Sequence, residues 1–88
     1  MSAPVIEVGT PSNITSTTAI TSNPCGLLGF YVNSTTGGTV VIRDGGASGT
    51  QLSGTITPAI GFHRFPTIIY TSLHVTIANT LNVTFFYV

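Results

Sequence analysis

Hydroxyls aside, two histidines, His63 and His74, two carboxylates, Glu7 and Asp44, and one thiol, Cys25, are the only side chains here suited to acid–base, nucleophilic or metal chemistry. General acid–base catalysis needs titratable groups held in position. A serine hydrolase of the elbow type also needs Gly-x-Ser-x-Gly, and none occurs among the many serines. Paired-carboxylate hydrolysis would have to use Glu7 with Asp44. Asp44 sits in Asp44-Gly45-Gly46, where an aspartate ordinarily bonds its own turn backbone. His63, His74 and Cys25 are the candidate metal ligands, and no pair has zinc-finger spacing. A three-fold axis would bring one histidine from each of three subunits together, a staple open to a small scaffold. Cys25 beside Gly26 reads as a small packed hydrophobe. The expectation is no catalytic residue, no metal and no cofactor. Asn13-Ile14-Thr15, Asn33-Ser34-Thr35 and Asn82-Val83-Thr84 match the glycosylation sequon. In a chain rich in Asn and Thr such matches arise by chance.

Only Glu7, Arg43, Asp44 and Arg64 carry formal charge, 5% of the 88 residues, and there is no lysine. Ordinary soluble domains carry roughly 25%. A free monomer keeps itself apart from its neighbours with mixed surface charge and a net charge away from zero. This chain has a net charge of zero and a polar surface of Thr, Ser, Asn and Gly, which hydrates without repelling. Such a surface suits burial against other subunits. A chain this short is marginal alone, and its one cysteine makes no internal disulfide, so oligomerisation is the helper left. A hydrophobic fraction of 42% argues against disorder. Two arginines are too few for a nucleic-acid surface. No apolar run approaches the ~20 residues of a membrane helix. Met1–Glu7 has neither a basic n-region nor an apolar stretch, and a lone cysteine fits synthesis in a reducing cytosol. No nucleic-acid or membrane partner is expected.

The elements that must position these residues have a period of two. Leu28, Phe30 and Val32 share a face, as do Val40 with Ile42, and Leu52, Gly54 and Ile56. Leu73, Val75 and Ile77 alternate with Ser72, His74 and Thr76, which puts His74 on the exposed polar parity. Leu81, Val83, Phe85 and Tyr87 alternate with Asn82, Thr84 and Phe86. Such alternation signals half-buried strands. Thr36-Gly37-Gly38, Asp44 to Gly49, Thr57-Pro58, Phe65-Pro66 and Ala78-Asn79-Thr80 read as breaks between them. Upstream, Ala3–Val8 and Ile14–Thr21 read as Thr-rich strands split by Gly9-Thr10-Pro11-Ser12. The spacing predicts one all-β domain over residues 1–88, with about seven to nine short strands. It takes the form of a small two-sheet antiparallel sandwich, with the jelly roll as a variant. Residues 1–12 are expected to form an extended N-terminal arm, able to reach a neighbour as an added strand.

Over Cys25–Asp44 the chain reads Cys-Gly-Leu-Leu-Gly-Phe-Tyr-Val-Asn-Ser-Thr-Thr-Gly-Gly-Thr-Val-Val-Ile-Arg-Asp, followed by Gly45-Gly46-Ala47-Ser48-Gly49-Thr50. Leu73-His74-Val75-Thr76-Ile77 and Val83-Thr84-Phe85-Phe86-Tyr87 then supply two alternating strands. From residue 25 to residue 88 this resembles a family of small all-β virion proteins of tailed bacteriophages. Where the family pattern often has Tyr-Asp-Gly, this chain has Arg43-Asp44-Gly45. The resemblance implies a capsid cement or decoration protein, or a head–tail accessory. It also implies a place on the virion's capsid surface after synthesis in the host cytoplasm, and the major capsid protein as partner.

Two stretches depart from simple alternation. Ile60-Gly61-Phe62-His63-Arg64-Phe65-Pro66 gathers aromatics and a cation in one loop-like segment, and such residues make interface hot spots. The terminus Val83 to Val88 is apolar on both parities, so Phe86 and Val88 face outward if Val83, Phe85 and Tyr87 fill the core. The candidate interface residues are therefore Phe62, His63, Arg64, Phe65, Phe86 and Val88. The leading expectation is a structural, non-enzymatic decoration protein that binds capsid subunits and its own copies, as a homotrimer. The rivals are a neck, tail-tip or fibre part, which would expose Tyr31, Tyr70 or Tyr87 on a shallow groove, and a bacterial surface adhesin module.

Overall fold

The computed structural model describes residues 9–88, and every regular element in that span is a β-strand. Thr, Val, Ile, Phe and Tyr crowd these segments, and such side chains suit a pleated surface. The strands are β1 (Thr10–Ile14), β2 (Thr18–Ala19), β3 (Cys25–Asp44), β4 (Thr50–Gln51), β5 (Gly61–Ile69) and β6 (Leu73–Tyr87). All pair antiparallel in one six-stranded hydrogen-bonded sheet. β3 and β6 form its middle, from Leu27 opposite Tyr87 to Asp44 opposite Leu73. β1 and β2 line the far edge of β6, with Ile14 opposite Val83 and Ala19 opposite His74. β5 and β4 line the far edge of β3, with Cys25 opposite Ile69 and Arg43 opposite Gln51.

Two of the described strands are longer than the spacing predicts, and the expected strand Ala3–Val8 lies outside the described residues. β3 runs through 20 residues and β6 through 15. Thr36-Gly37-Gly38 and Ala78-Asn79-Thr80 do not end strands. They face each other as a paired irregularity, with register shifts at Val32/Ser34 and Thr36/Gly37. Gly37 (φ 62°) and Asn79 (φ 61°) both take the left-handed conformation there. A bulge of this kind bends a strand and leaves its ladder running on either side. The Asn79 amide donates to the Gly37 carbonyl at 2.9 Å and ties the two strands at the bend. A methyl group on Gly38 would lie 2.5 Å from the Thr80 carbonyl oxygen, so only glycine fits.

Other expected breaks also lie inside strands. Thr10–Ser12 belong to β1, opposite Tyr87, Phe86 and Phe85 of the same chain. Residues 1–8 of the expected arm lie outside the described residues. Phe65-Pro66 falls within β5, whose register against β3 shifts there, between Arg64 opposite Gly29 and Thr67 opposite Leu27. Among the described residues Pro11 and Pro66 both sit on edge strands, where the missing N–H breaks no internal ladder. The 52–56 segment rides along β3 without forming a full strand, held by the reciprocal Val40–Ile56 backbone pair at 2.9 Å.

One core draws on both halves of the long strands. Leu27, Phe30, Val32, Val40 and Ile42 of β3 meet Leu73, Val75, Leu81, Val83 and Phe85 of β6, with Ile14 and Ile69. The Phe30 and Phe85 rings lie 5.0 Å apart at its centre. Burying a side chain of this size contributes about 1.5–3 kcal/mol. The alternation of 73–75 and 81–85 therefore reads out the inward face as expected.

Candidate interaction surface

The outward parity of β5 is where apolar side chains meet water. Along Gly61–Ile69 burial alternates strictly, with Phe62, Arg64, Pro66 and Ile68 exposed. Ile60 and Tyr70, also exposed, extend the row at its two ends. Three of these positions continue across the sheet. Phe62 lies opposite Tyr31, and Tyr31 opposite Thr84. Arg64 lies opposite Gly29, and Gly29 opposite Phe86. Ile68 lies opposite Gly26, whose backbone pairs both ways with Val88 at 2.8 Å. The exposed large hydrophobics among the described residues are Tyr31, Ile60, Phe62, Ile68, Tyr70 and Val88. Tyr31, Phe62, Ile68 and Val88 belong to this one end of the outer sheet face, and Ile60 and Tyr70 lie just beyond the two ends of β5.

Its centre is a shallow apolar groove of about 220 Å³ lined by Gly9, Leu28, Tyr31, Phe62 and Phe86. Leu28 enters it because the register shift at Leu27/Gly29 turns this residue out of the ladder. Glycine at position 29 opens the floor. The Phe62 ring lies over it, and an added methyl would stand 3.0 Å from that ring and 2.5 Å from the His63 carbonyl oxygen. The Phe62 and Phe86 rings are 6.2 Å apart.

Next to the aromatics runs a neutral polar ladder. The Asn13 and Asn33 amides both donate to Asn82 Oδ1, at 2.8 and 3.2 Å, and to Thr84 Oγ1, at 3.0 and 3.1 Å. The three sequon asparagines thus converge, and the Nδ2 atoms of two of them are engaged within the sheet.

The structure divides the six candidate interface residues. Phe62, Arg64, Phe86 and Val88 lie on the outer face. His63 and Phe65 take the inward parity. The segment that holds them is an edge strand and not a loop. His63 stacks on Phe30 at 5.2 Å, and its Nε2–H donates to the Ala59 carbonyl at 2.7 Å. Phe65 packs against the core. Tyr31 and Tyr70, expected to be exposed in the rival reading alone, join the surface together with Ile60 and Ile68, which are absent from the six candidates. The signal was present, since reading 60–70 as a strand puts four of its apolar residues on one parity.

The titratable groups lie apart. His74 takes the outward parity as expected, yet it sits between Ala19 and Arg43 and is only 7% exposed. Its Nδ1 and Arg43 Nε are both buried without a hydrogen-bond partner. Asp44 does not bond its own turn. It accepts the backbone N–H groups of Tyr70, Thr71 and Ser72 at 2.7, 2.9 and 3.2 Å, and so clamps the β5–β6 connection. The Tyr70 N–H, with those of Thr71 and Ser72, holds its carboxyl below the usual carboxylate range against an opposing effect of desolvation. Cys25 is a free, half-buried thiol packed at the core's edge, with the Thr21 hydroxyl 3.8 Å from its sulfur. It borders a broader depression of about 380 Å³ shaped mainly by the polar 20–24 loop. Among the described residues no three His, Cys, Asp or Glu side chains come together.

No protein-family model matches this chain, and no curated protein or solved structure matches it either.

Proposed function

We propose that this protein is a structural virion component, a capsid cement or decoration protein whose work is mechanical. One observation carries the reading. In a chain with four charged residues, the exposed large hydrophobics among the described residues gather on and around one end of one sheet face. Monomeric proteins rarely leave contiguous apolar patches beyond a few hundred Å² uncovered. In this reading the patch rests on subunits of the major capsid protein and on other copies of the chain. Each small contact adds to the cost of pulling the shell apart, and many tethered contacts act together through avidity. A charge-poor exterior lets copies crowd without mutual repulsion. The shared core of both halves of β3 and β6 supports a two-layer, sandwich-like packing of the bent sheet, with the jelly roll as its variant.

The test is location. Peptide mass spectrometry on gradient-purified particles of the phage encoding this chain should find it on heads, in many copies per particle. Absence from particles would refute the reading. A few copies confined to neck or tail would favour the second reading, a neck, tail-tip or fibre part. That reading has its own observation, the exposed Tyr31 on a shallow groove beside a ladder of neutral amides.

A further inference from the structure

The apolar row of β5 has a pattern that fits a second copy of itself. From residue 60 to 70 the exposed positions read Ile60, Phe62, Arg64, Pro66, Ile68 and Tyr70, the first and last just outside β5. Reversed about Phe65, the four large apolar positions fall on one another. Ile60 meets the partner's Tyr70, and Phe62 meets the partner's Ile68. Arg64 meets the partner's Pro66, so the two cations do not stand opposite each other. A two-fold, isologous contact requires this kind of self-complementarity.

From this we infer that two copies pack their β5 rows antiparallel about a two-fold axis at Phe65. The inference rests on the self-association in the proposed function and places it on one strand. The area suits it. Tyr31, Phe62 and Tyr70 are 43%, 54% and 75% exposed. At roughly 150–250 Å² per aromatic residue, these three offer about 260–430 Å² between them. Ile60, Ile68 and Val88 add to this, toward the ~800 Å² per partner of a standard interface. Pro66 decides the mode. It has no N–H to give on an edge strand, so a continuous ladder across the axis is interrupted there, and side chains carry the contact. A two-fold pairing stands in place of the homotrimer expected of a decoration protein.

Analytical ultracentrifugation of the full chain tests this. The wild type is expected at twice its 9.1 kDa mass at tens of micromolar. Phe62→Asp and Ile68→Lys should each raise the dimer dissociation constant at least tenfold, with the β-sheet circular dichroism spectrum kept because both residues are exposed. Ile60→Asp serves in place of either variant that loses its spectrum. Mixing Phe62→Asp with Ile68→Lys should restore dimers, since each aspartate then meets a partner lysine. Mixing Phe62→Asp with Phe62→Lys should not. A monomeric or trimeric wild type, a dimer indifferent to all three substitutions, or rescue by the second mixture alone would overturn the two-fold contact. A monomer found on purified heads would sink this contact and leave the virion reading standing.

Discussion

Asp44 shows how much one carboxylate does in a chain with two. Its oxygens take three backbone N–H groups from a turn 26 to 28 residues away. Those bonds favour the ionised form, so the folded pKa lies below the unfolded value of about 3.9. The resulting stability is fully present above about pH 4 and is lost as pH falls through the folded pKa. The midpoint of thermal unfolding should hold from pH 7 to 5 and drop toward pH 2. Asp44→Asn should start lower at pH 7 and show a shallower acid limb. An unchanged acid slope in that variant would place the sensitivity elsewhere. Gly29→Ala makes a second prediction at this scale. Its methyl would be driven against the His63 carbonyl and the Phe62 ring, at a cost of roughly 1–3 kcal/mol. Urea melts should show a lower midpoint, and an unchanged midpoint would mean that the groove floor yields.

For the elements, the decisive event is the bend shared by β3 and β6. Asn79 stands in a left-handed conformation inside a strand, tied to Gly37. Asn79→Val should cost about 1–2 kcal/mol, because a β-branched side chain resists positive φ. Asn79→Gly should retain most of the stability, as read by thermal melts of the two variants side by side. The bend also marks the limit of what could be read from residues alone. The inward face was legible, since Val83 and Phe85 alternate with Asn82 and Thr84, and the outward placing of Phe86 and Val88 follows from the same count. The continuity of the strands was not. A glycine pair or an asparagine at positive φ has the same local chemistry in a turn as in a bulge, and only the partner strand decides between them. Pro66 misleads likewise, because proline is compatible with an edge. The burial of His74 and the partners of Asp44 were not legible, because their surroundings come from distant parts of the chain.

Taken whole, the molecule separates two kinds of apolar residue on adjacent positions of one strand. Phe85 is fully buried in the core, and Phe86 borders the outer groove. Phe85→Ala should cost about 3–5 kcal/mol. Small domains hold only roughly 0.05–0.15 kcal/mol per residue in total, so this variant should be largely unfolded at 37 °C by circular dichroism. Phe86→Asp should instead keep the sheet spectrum and weaken association, as read by light scattering. If Phe86→Asp unfolds the chain as Phe85→Ala does, the outer groove is part of the core.

One consequence of the topology concerns the order of synthesis. β6 lies in the middle of the sheet, yet it follows every other described strand in the chain. During translation the twenty residues of β3 leave the ribosome without their main neighbour, and β1 waits longer still. β4 and β5 can pair with β3 along the nascent chain, but the core cannot close before β6 arrives. Acquisition of protease resistance should be abrupt, arriving only once residue 87 has cleared the exit tunnel.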